Sequence, residues 1–313
     1  MKLVRSINSR LIPNSGCVLT IGKFDAVHIG HQKILKQLVE VGKKMGLPAV
    51  VMTFAPNPEE YFRKQDAPPR LTTISSQYFA LRDQGVSLML AIPFNKMLAR
   101  TSAENFIQTY LIDGLKAKYI SIGDDFKFGK GRKGDYQILK QAGLNNGFEV
   151  GRFETINVGH SRVSSTRICE SLSAGRFDEV DVLLGRKFAM VGRVMHGDKR
   201  GREWGFPTAN IAINRKIPMT GVFAVTVRGL NDDHVHAQIK GVANLGMRPT
   251  VDGMKTLLEV HLFDFNQRIY GNRICVEFVA KIRDEKKFES FEALKSQIFI
   301  DCERAKEILD AGN

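Results

Sequence analysis

A chain of 313 residues, 43% hydrophobic and 25% charged, has the composition of a globular protein rather than a disordered, collagenous or fibrous one. At roughly 100–200 residues per domain, the length implies two domains. Forty-six Lys and Arg against 33 Asp and Glu leave a net charge of +13, which suits either a nucleic acid or a smaller polyphosphate.

The first half alternates between strand and helix patterns. Val18–Gly22 is a short apolar run ending in Gly, and His31–Met45 carries apolar residues at helical spacing up to Gly46. Pro48–Phe54 reads as a buried strand. A helical stretch at Ser75–Gln84 precedes the strand Ser87–Ile92, and another at Ala103–Leu111 precedes Tyr119–Ile122. This alternation predicts an α/β unit, Rossmann-like, with a parallel sheet covered by helices on both faces. Ligands of such sheets sit beyond the carboxyl ends of the strands. After Leu184 the pattern changes. Short β-branched or aromatic runs recur between Gly turns at Ala189–Val194, Val222–Val227, Ile239–Ala243, Leu257–Phe265 and Ile274–Ile282, as expected of an antiparallel barrel or sandwich. A terminal amphipathic helix, Phe291–Leu309, follows Ser290 as N-cap with Glu292 in its first turn. The expected domains are 1–184 and 185–313.

The remaining composition points to the cytoplasm. Cys17, Cys169, Cys275 and Cys302 are too few and scattered for a disulfide framework and form no CxxC zinc pair. Met1–Arg10 has no apolar signal region. The longest apolar stretch, Val86–Phe94, is far short of the ~20 residues that cross a bilayer. Residues 1–184 hold 25 basic and 17 acidic residues and residues 185–313 hold 21 and 16, with no run of five like charges, so neither half carries a nucleic-acid tail.

The first chemical motif lies between the first strand and the first helix, at Gly22 to His31. It ends in the HxGH tetrapeptide His28-Ile29-Gly30-His31. A helix N-terminus presents unpaired N–H groups to an anion, and two imidazoles there can stabilise charge on a phosphate whose bond is breaking. Gly30 would let a nucleotide approach the backbone. Two His near a helix start also serve as polar caps, and zinc is a further alternative, though no third ligand of obvious spacing accompanies them. The stretch resembles the nucleotidyltransferase superfamily that shares HxGH with class I aminoacyl-tRNA synthetases. Gly22-Lys23-Phe24-Asp25, Gly123-Asp124-Asp125-Phe126-Lys127-Phe128-Gly129 and Ser164-Ser165-Thr166-Arg167 narrow the resemblance to the adenylyltransferase half of prokaryotic bifunctional FAD synthetase. The resemblance implies ATP-phosphate contacts from His28 and His31, a nucleotide site lined by Gly22, Phe24, Asp25 and Asp125, and a loop of Ser164, Ser165 and Thr166 that closes on the phosphates. Two positions depart from the family pattern. Ala26 stands where Gly is common, in a turn that needs positive φ, and Cys169 stands where SSTxxR has Arg. Arg167 is the candidate substitute for that planar fork.

The second motif leaves a strand at Val194 and runs to Asn210. Gly197, Gly201 and Gly205, with Lys199, Arg200 and Arg202, could cradle phosphates, or form a solvated hairpin loop. Thr208 and Asn210, two apart on an extended segment, face one side and can approach a hard cation such as Mg²⁺. Along Leu257–Phe265, Leu258, Val260 and Leu262 share one face and Glu259, His261 and Phe263 the other. A carboxylate beside aromatic residues inside a barrel would be a general base for an alcohol, while a Glu on an exposed strand face is the ordinary alternative. HGDxxGR…GFPTAN, GVANxGxRPT from Gly241 to Thr250, and LEVHLFDF resemble the riboflavin kinase module of the same bifunctional family. There the resemblance implies Mg²⁺-ATP binding by Thr208 and Asn210, and proton acceptance by Glu259.

The expected function is therefore two ATP-dependent reactions. The barrel would phosphorylate riboflavin to FMN, and the α/β unit would adenylylate FMN to FAD with release of pyrophosphate. The alternatives are a riboflavin kinase with an impaired first domain, and a nucleotide- or RNA-binding regulator. The implied partners are riboflavin, FMN, ATP and Mg²⁺, with no nucleic acid or membrane and room for a homo-oligomer. Part of the positive charge would then sit at Lys199–Arg202 and Lys127–Lys133, beside the ATP motifs.

Overall fold

The computed structural model describes residues 1–153, 156–159, 161–196, 205–229, 238–250 and 253–311, with backbone alone at 248–250 and 253–255. Its contacts form two units, residues 1–68 with 72–164, and residues 69–71 with 165–313.

In the first unit, the apolar runs become parallel strands: β1 (Lys2–Val4), β2 (Cys17–Ile21), β3 (Ala49–Phe54), β4 (Leu88–Ile92), β5 (Ala117–Gly123) and β6 (Glu149–Phe153), side by side as β1-β4-β3-β2-β5-β6. Both faces of the central strands are buried, so they read as continuous apolar runs. Leu19, Val50, Met52 and Ile120 face Phe106, Leu111 and Leu139 on one side. Val51, Met89 and Ala91 face Leu35 and Leu81 on the other. The helices α1 (Ile29–Met45) and α3 (Ile74–Asp83) thus cover one face. The other is covered by α5 (Ala103–Phe106), a π-helical continuation over Ile107–Gly114, and α6 (Tyr136–Asn146). Short helices α2 (Pro58–Arg63) and α4 (Lys96–Arg100) follow β3 and β4. The strand order reverses at β2, with β3 and β4 on one side and β5 and β6 on the other. That makes the carboxyl end of β2 the topological switch point, where open α/β sheets bind ligands. A small ribbon, β7 (Asn157–Val158) with β8 (Ser161–Arg162), follows β6.

The second unit opens with α7 (Ser165–Ser173) and α8 (Phe177–Leu184). Six strands follow: β9 (Phe188–Arg193), β10 (Thr208–Ile213), β11 (Gly221–Arg228), β12 (Ile239–Thr250), β13 (Gly253–Leu262) and β14 (Arg273–Arg283). They pair antiparallel as β10-β13-β12-β11-β14-β9, and a Met195–Asn210 bridge brings the two ends together. Phe223, Val225, Leu245, Leu258, Val260, Val276 and Phe278 are buried and alternate along their strands, which fills the barrel interior. Phe177 of α8 packs against Phe223 and Phe278 of that interior. The terminal helix α9 (Phe291–Ala311) starts where Ser290 Oγ accepts from Ala293 N–H at 3.1 Å, the expected cap. It lays Cys302, Ala305 and Leu309 on Val222, Ala224 and Val242, the outer face of β11 and β12. Among the described residues, no helix is long and apolar enough to cross a membrane.

Candidate functional sites

The chain leaves β2 through a turn that only its surroundings can hold. Phe24, Ala26 and Val27 have φ of 47°, 67° and 44°, so Ala26 does adopt the positive φ that its position demands. Left-handed backbone in residues other than Gly costs roughly 1–3 kcal/mol each. Burial of the Phe24 and Val27 side chains beside Leu35, Leu81 and Met89 offsets part of that cost. Hydrogen bonds from outside the turn supply the rest. Asp25 Oδ1 accepts from the Thr72 N–H at 2.8 Å and hydroxyl at 2.5 Å, and Ala26 N–H donates to Thr72 Oγ1 at 3.3 Å. Gln77 Nε2 donates to the Lys23 carbonyl at 2.6 Å, and Gln32 Nε2 to the Val27 carbonyl at 2.9 Å.

His28 then caps α1: its Nδ1 accepts from His31 N–H at 3.3 Å. The capping and phosphate-binding readings of this residue are therefore compatible. With Nδ1 accepting, a neutral His28 carries its proton on Nε2, which makes that nitrogen a donor. The His28 and His31 rings stack with centroids 3.7 Å apart at 15°, and Phe24 lies 4.9 Å from His31. The His31 Nδ1 is enclosed without a hydrogen-bond partner. Burial lowers the His31 pKa well below its ordinary value, with smaller effects from His28 and Arg162, so this ring is neutral at pH 7. Gly30 has a reason besides nucleotide approach, because a Cβ there would stand 3.1 Å from His28 Nδ1.

Asp125 follows the carboxyl end of β5, the neighbour of β2 across the switch point. It is exposed and pairs with Arg162 at 3.3 Å. Arg162, which nothing in the motifs singles out, thus acts on both Asp125 and His31. Lys127 pairs with Asp135 at 3.1 Å. Beyond the ends of β3 and β4, Phe94 meets Phe54, Tyr61 and Phe62 edge-on, with centroids 5.9, 5.3 and 5.7 Å away. Phe62 is 64% exposed. The sequence reading missed this cluster, since its four members come from three separated segments.

Ser164 ends the contacts of the first unit, and Ser165 and Thr166 open α7 in the second. Arg167, on α7, is held by Glu179 of α8: its Nε and Nη2 lie 2.9 and 2.8 Å from Glu179 Oε1. Hydrogen bonds from Arg176, Ser171 and Arg167 hold the Glu179 pKa down at about 2. The fork considered as a substitute for the missing Arg is therefore bound to a carboxylate, and Cys169 lies two residues farther along the same helix.

In the barrel, register assembles the second site. Thr208 on β10 stands opposite His261 on β13, and Asn210 opposite Glu259. On its other side, Glu259 stands opposite Asn244 of β12. Directly opposed residues share a face, so Asn210, Glu259 and Asn244 form one row. The interior belongs to Leu258 and Val260, both fully buried. Glu259 consequently lies on the outer face, half-buried, which corrects the expectation of a carboxylate inside the barrel. The reason is volume: a six-stranded barrel has room inside for its apolar side chains alone. Aromatic neighbours are nonetheless present on that outer face, where Phe206 and Phe263 flank His261 at 5.6 and 5.8 Å. His261 Nδ1 lies 2.9 Å from the Pro207 carbonyl, which ties β13 to the segment entering β10. Asn210 is 8% exposed, and its Nδ2 donates to the Thr208 carbonyl at 3.3 Å. Gly205 takes φ 88°, while Gly197, Lys199 and Gly201, with Arg200 and Arg202, lie outside the described residues.

Thr208 and Asn210 offer a hydroxyl and an amide oxygen, the hard donors that Mg²⁺ accepts, beside the Glu259 carboxylate. Two or three such oxygens suffice for a Mg²⁺ that takes its other ligands from nucleotide phosphates and water. Among the described residues, no cluster of three His, Cys, Asp or Glu side chains forms a metal site independent of a nucleotide.

The FAD synthetase family model matches residues 12–167, and the riboflavin kinase model residues 184–309. Proteins named bifunctional riboflavin kinase/FMN adenylyltransferase are similar over nearly their whole length. That of Escherichia coli K12 is 44% identical over 98% of this chain and 97% of its own. Those of Haemophilus influenzae and Pseudomonas fluorescens are 43% identical, covering 98% of this chain and 98% and 97% of theirs. A crystal structure from Streptococcus pneumoniae, described as a macrolide-efflux protein, is 31% identical and superposes with a TM-score of 0.78 over 96% of this chain and 97% of that one. Matched by both family models and, over nearly its whole length, by these relatives, the chain belongs to the bifunctional riboflavin kinase/FMN adenylyltransferase family.

Proposed function

We propose that this chain makes FAD from riboflavin in two ATP-dependent steps in the cytoplasm, with the division of labour falling near residue 185. One observation carries the reading. The HxGH turn stands at the switch point of the unit matched by the FAD synthetase model, and the Asn210–Glu259–Asn244 row on the barrel matched by the riboflavin kinase model.

In the kinase step, Glu259 accepts the proton of the ribityl 5′-hydroxyl as its oxygen bonds to the γ-phosphorus of ATP and ADP departs. Asn244 and Asn210, on either side of Glu259, fix the carboxylate and the incoming nucleotide. Thr208 and Asn210 would hold Mg²⁺, whose contribution when bound is to offset the charge of the ATP phosphates. In the second step, an FMN phosphate oxygen attacks the α-phosphorus of ATP, the α–β bridging bond breaks, and pyrophosphate leaves. The protein's part there is placement and charge stabilisation. The His28 Nε2–H and the neutral His31 ring donate to the phosphates, and Phe62 with its edge-on partners is a platform for the isoalloxazine ring.

The two assignments separate in variants. Glu259→Gln is expected to abolish FMN formation from riboflavin while FMN supplied directly still becomes FAD. His28→Ala is expected to block FAD formation at least 100-fold while FMN still forms. A Glu259→Gln protein with undiminished FMN formation would remove the proposed base, and a His28→Ala protein with full FAD formation would remove the proposed phosphate site.

A further inference from the structure

The bend that delivers His28 and His31 to the switch point is made by Phe24, Ala26 and Val27, all with positive φ. Backbone of this kind persists when surrounding groups over-determine it. The strongest of those groups lies 46 residues beyond Ala26, in the segment that enters α3. The Thr72 hydroxyl is wedged between the two residues at the centre of the bend. It donates to Asp25 Oδ1 at 2.5 Å and accepts from Ala26 N–H at 3.3 Å, while Thr72 N–H adds a second bond to Asp25 at 2.8 Å. The wedge is itself fixed. Thr72 is 9% exposed, and the next residue, Thr73, closes a capping box with Ser76 at the start of α3. One turn later, the fully buried Gln77 holds the Lys23 carbonyl at 2.6 Å. The face of α3 that packs on the sheet therefore also clamps both limbs of the turn, two residues ahead of the His28 ring.

We propose that Thr72 is a positioning residue for adenylyl transfer. Its hydroxyl locks the Asp25–Ala26 bend and thereby sets the stacked placement of His28 and His31. This rests on assigning adenylyl transfer to the HxGH turn. Thr72 acts through the turn and not on the nucleotide, so its loss lowers turnover rather than substrate binding. Displacing catalytic groups by about 1 Å costs on the order of 100-fold in rate.

Thr72→Val keeps the side-chain shape and removes the hydroxyl. In the full-length protein supplied with FMN, ATP and Mg²⁺, this variant is expected to form FAD with kcat lowered about 10- to 100-fold. KM for ATP and FMN should stay within about twofold, and riboflavin phosphorylation by the same preparation should be unchanged. Thr72→Ser, which retains the hydroxyl, is expected to restore kcat and also decides the matter should the Val variant fold poorly. Wild-type kcat in Thr72→Val would overturn the proposal, as would a loss confined to KM or a Ser variant as slow as the Val one. A wild-type protein that forms no FAD would remove the underlying assignment, whereas FAD formation indifferent to Thr72→Val removes the positioning role alone.

Discussion

At the scale of single residues, the first site puts two imidazoles, three residues apart, in different environments. His28 has its Nδ1 committed to the start of α1, which puts the proton of the neutral ring on Nε2. His31 is neutral because burial lowers its pKa below the ordinary value of 6.5, assisted by His28 and Arg162. The consequence for stability has a definite sign. At pH values below about 6.5 the unfolded chain binds a proton that the folded ring refuses, so stability is full above that value and declines as pH falls toward the folded pKa. Thermal unfolding of the first unit is expected to shift downward between pH 7 and 5, and His31→Asn to flatten that slope. An equal slope in the variant would contradict the buried, neutral ring. The histidines themselves were legible from HxGH after a strand. Thr72, Gln77 and Arg162 were not, because their effect depends on partners 46, 54 and 37 residues away.

At the scale of elements, legibility followed the signal each segment carries. The segments β2, α1 and β3 are long apolar patterns ended by Gly or Pro, and they appear where the spacing predicts them. The short helix α2 went unread although Asn57-Pro58-Glu59-Glu60 holds a full capping box, because six residues carry too little periodicity to announce a helix. The stretch after Ala103 also departs from a regular helix, turning π-helical over Ile107–Gly114. In β13, alternation correctly separated Leu258 from Glu259 but not which face is interior, since both the barrel core and the cover under α9 accept apolar residues. A buried ion pair adds to the apolar cover. Asp301 of α9, 3% exposed, receives Arg283 Nε at 2.9 Å and Nη2 at 2.7 Å, with Gln297 Nε2 at 3.0 Å. Arg283 is opposite Val222 in the row that continues to Asn244 and Glu259, so the pair anchors the helix beside that row. Removing one partner of a buried pair strands the other charge, and Asp301→Ala is expected to destabilise the barrel unit by about 3 kcal/mol. Urea unfolding of the variant checks this, and a change below about 0.5 kcal/mol would show that the Arg283–Asp301 pair does not anchor α9.

At the scale of the whole molecule, the two architectures suit two ways of handling phosphate. The parallel sheet gathers loop residues at the switch point, where a helix N-terminus and paired imidazoles stand together, an arrangement suited to an anion. The barrel instead places side chains on a stiff strand surface, where register fixes Asn210, Glu259 and Asn244 in line. The net charge of +13, which first suggested nucleic acid, is consistent with two substrate sets rich in phosphate. Some of the 46 basic side chains are neutralised in ion pairs, as Lys127 with Asp135, Arg162 with Asp125 and Arg167 with Glu179 show, and the surplus comes from the others. The central claim is that one chain carries both steps. Purified protein incubated with riboflavin, ATP and Mg²⁺, with the flavins separated over time, tests it most directly. The expected result is FMN that rises first and is then converted to FAD. FMN that accumulates with no FAD, or riboflavin that remains unchanged, would contradict it.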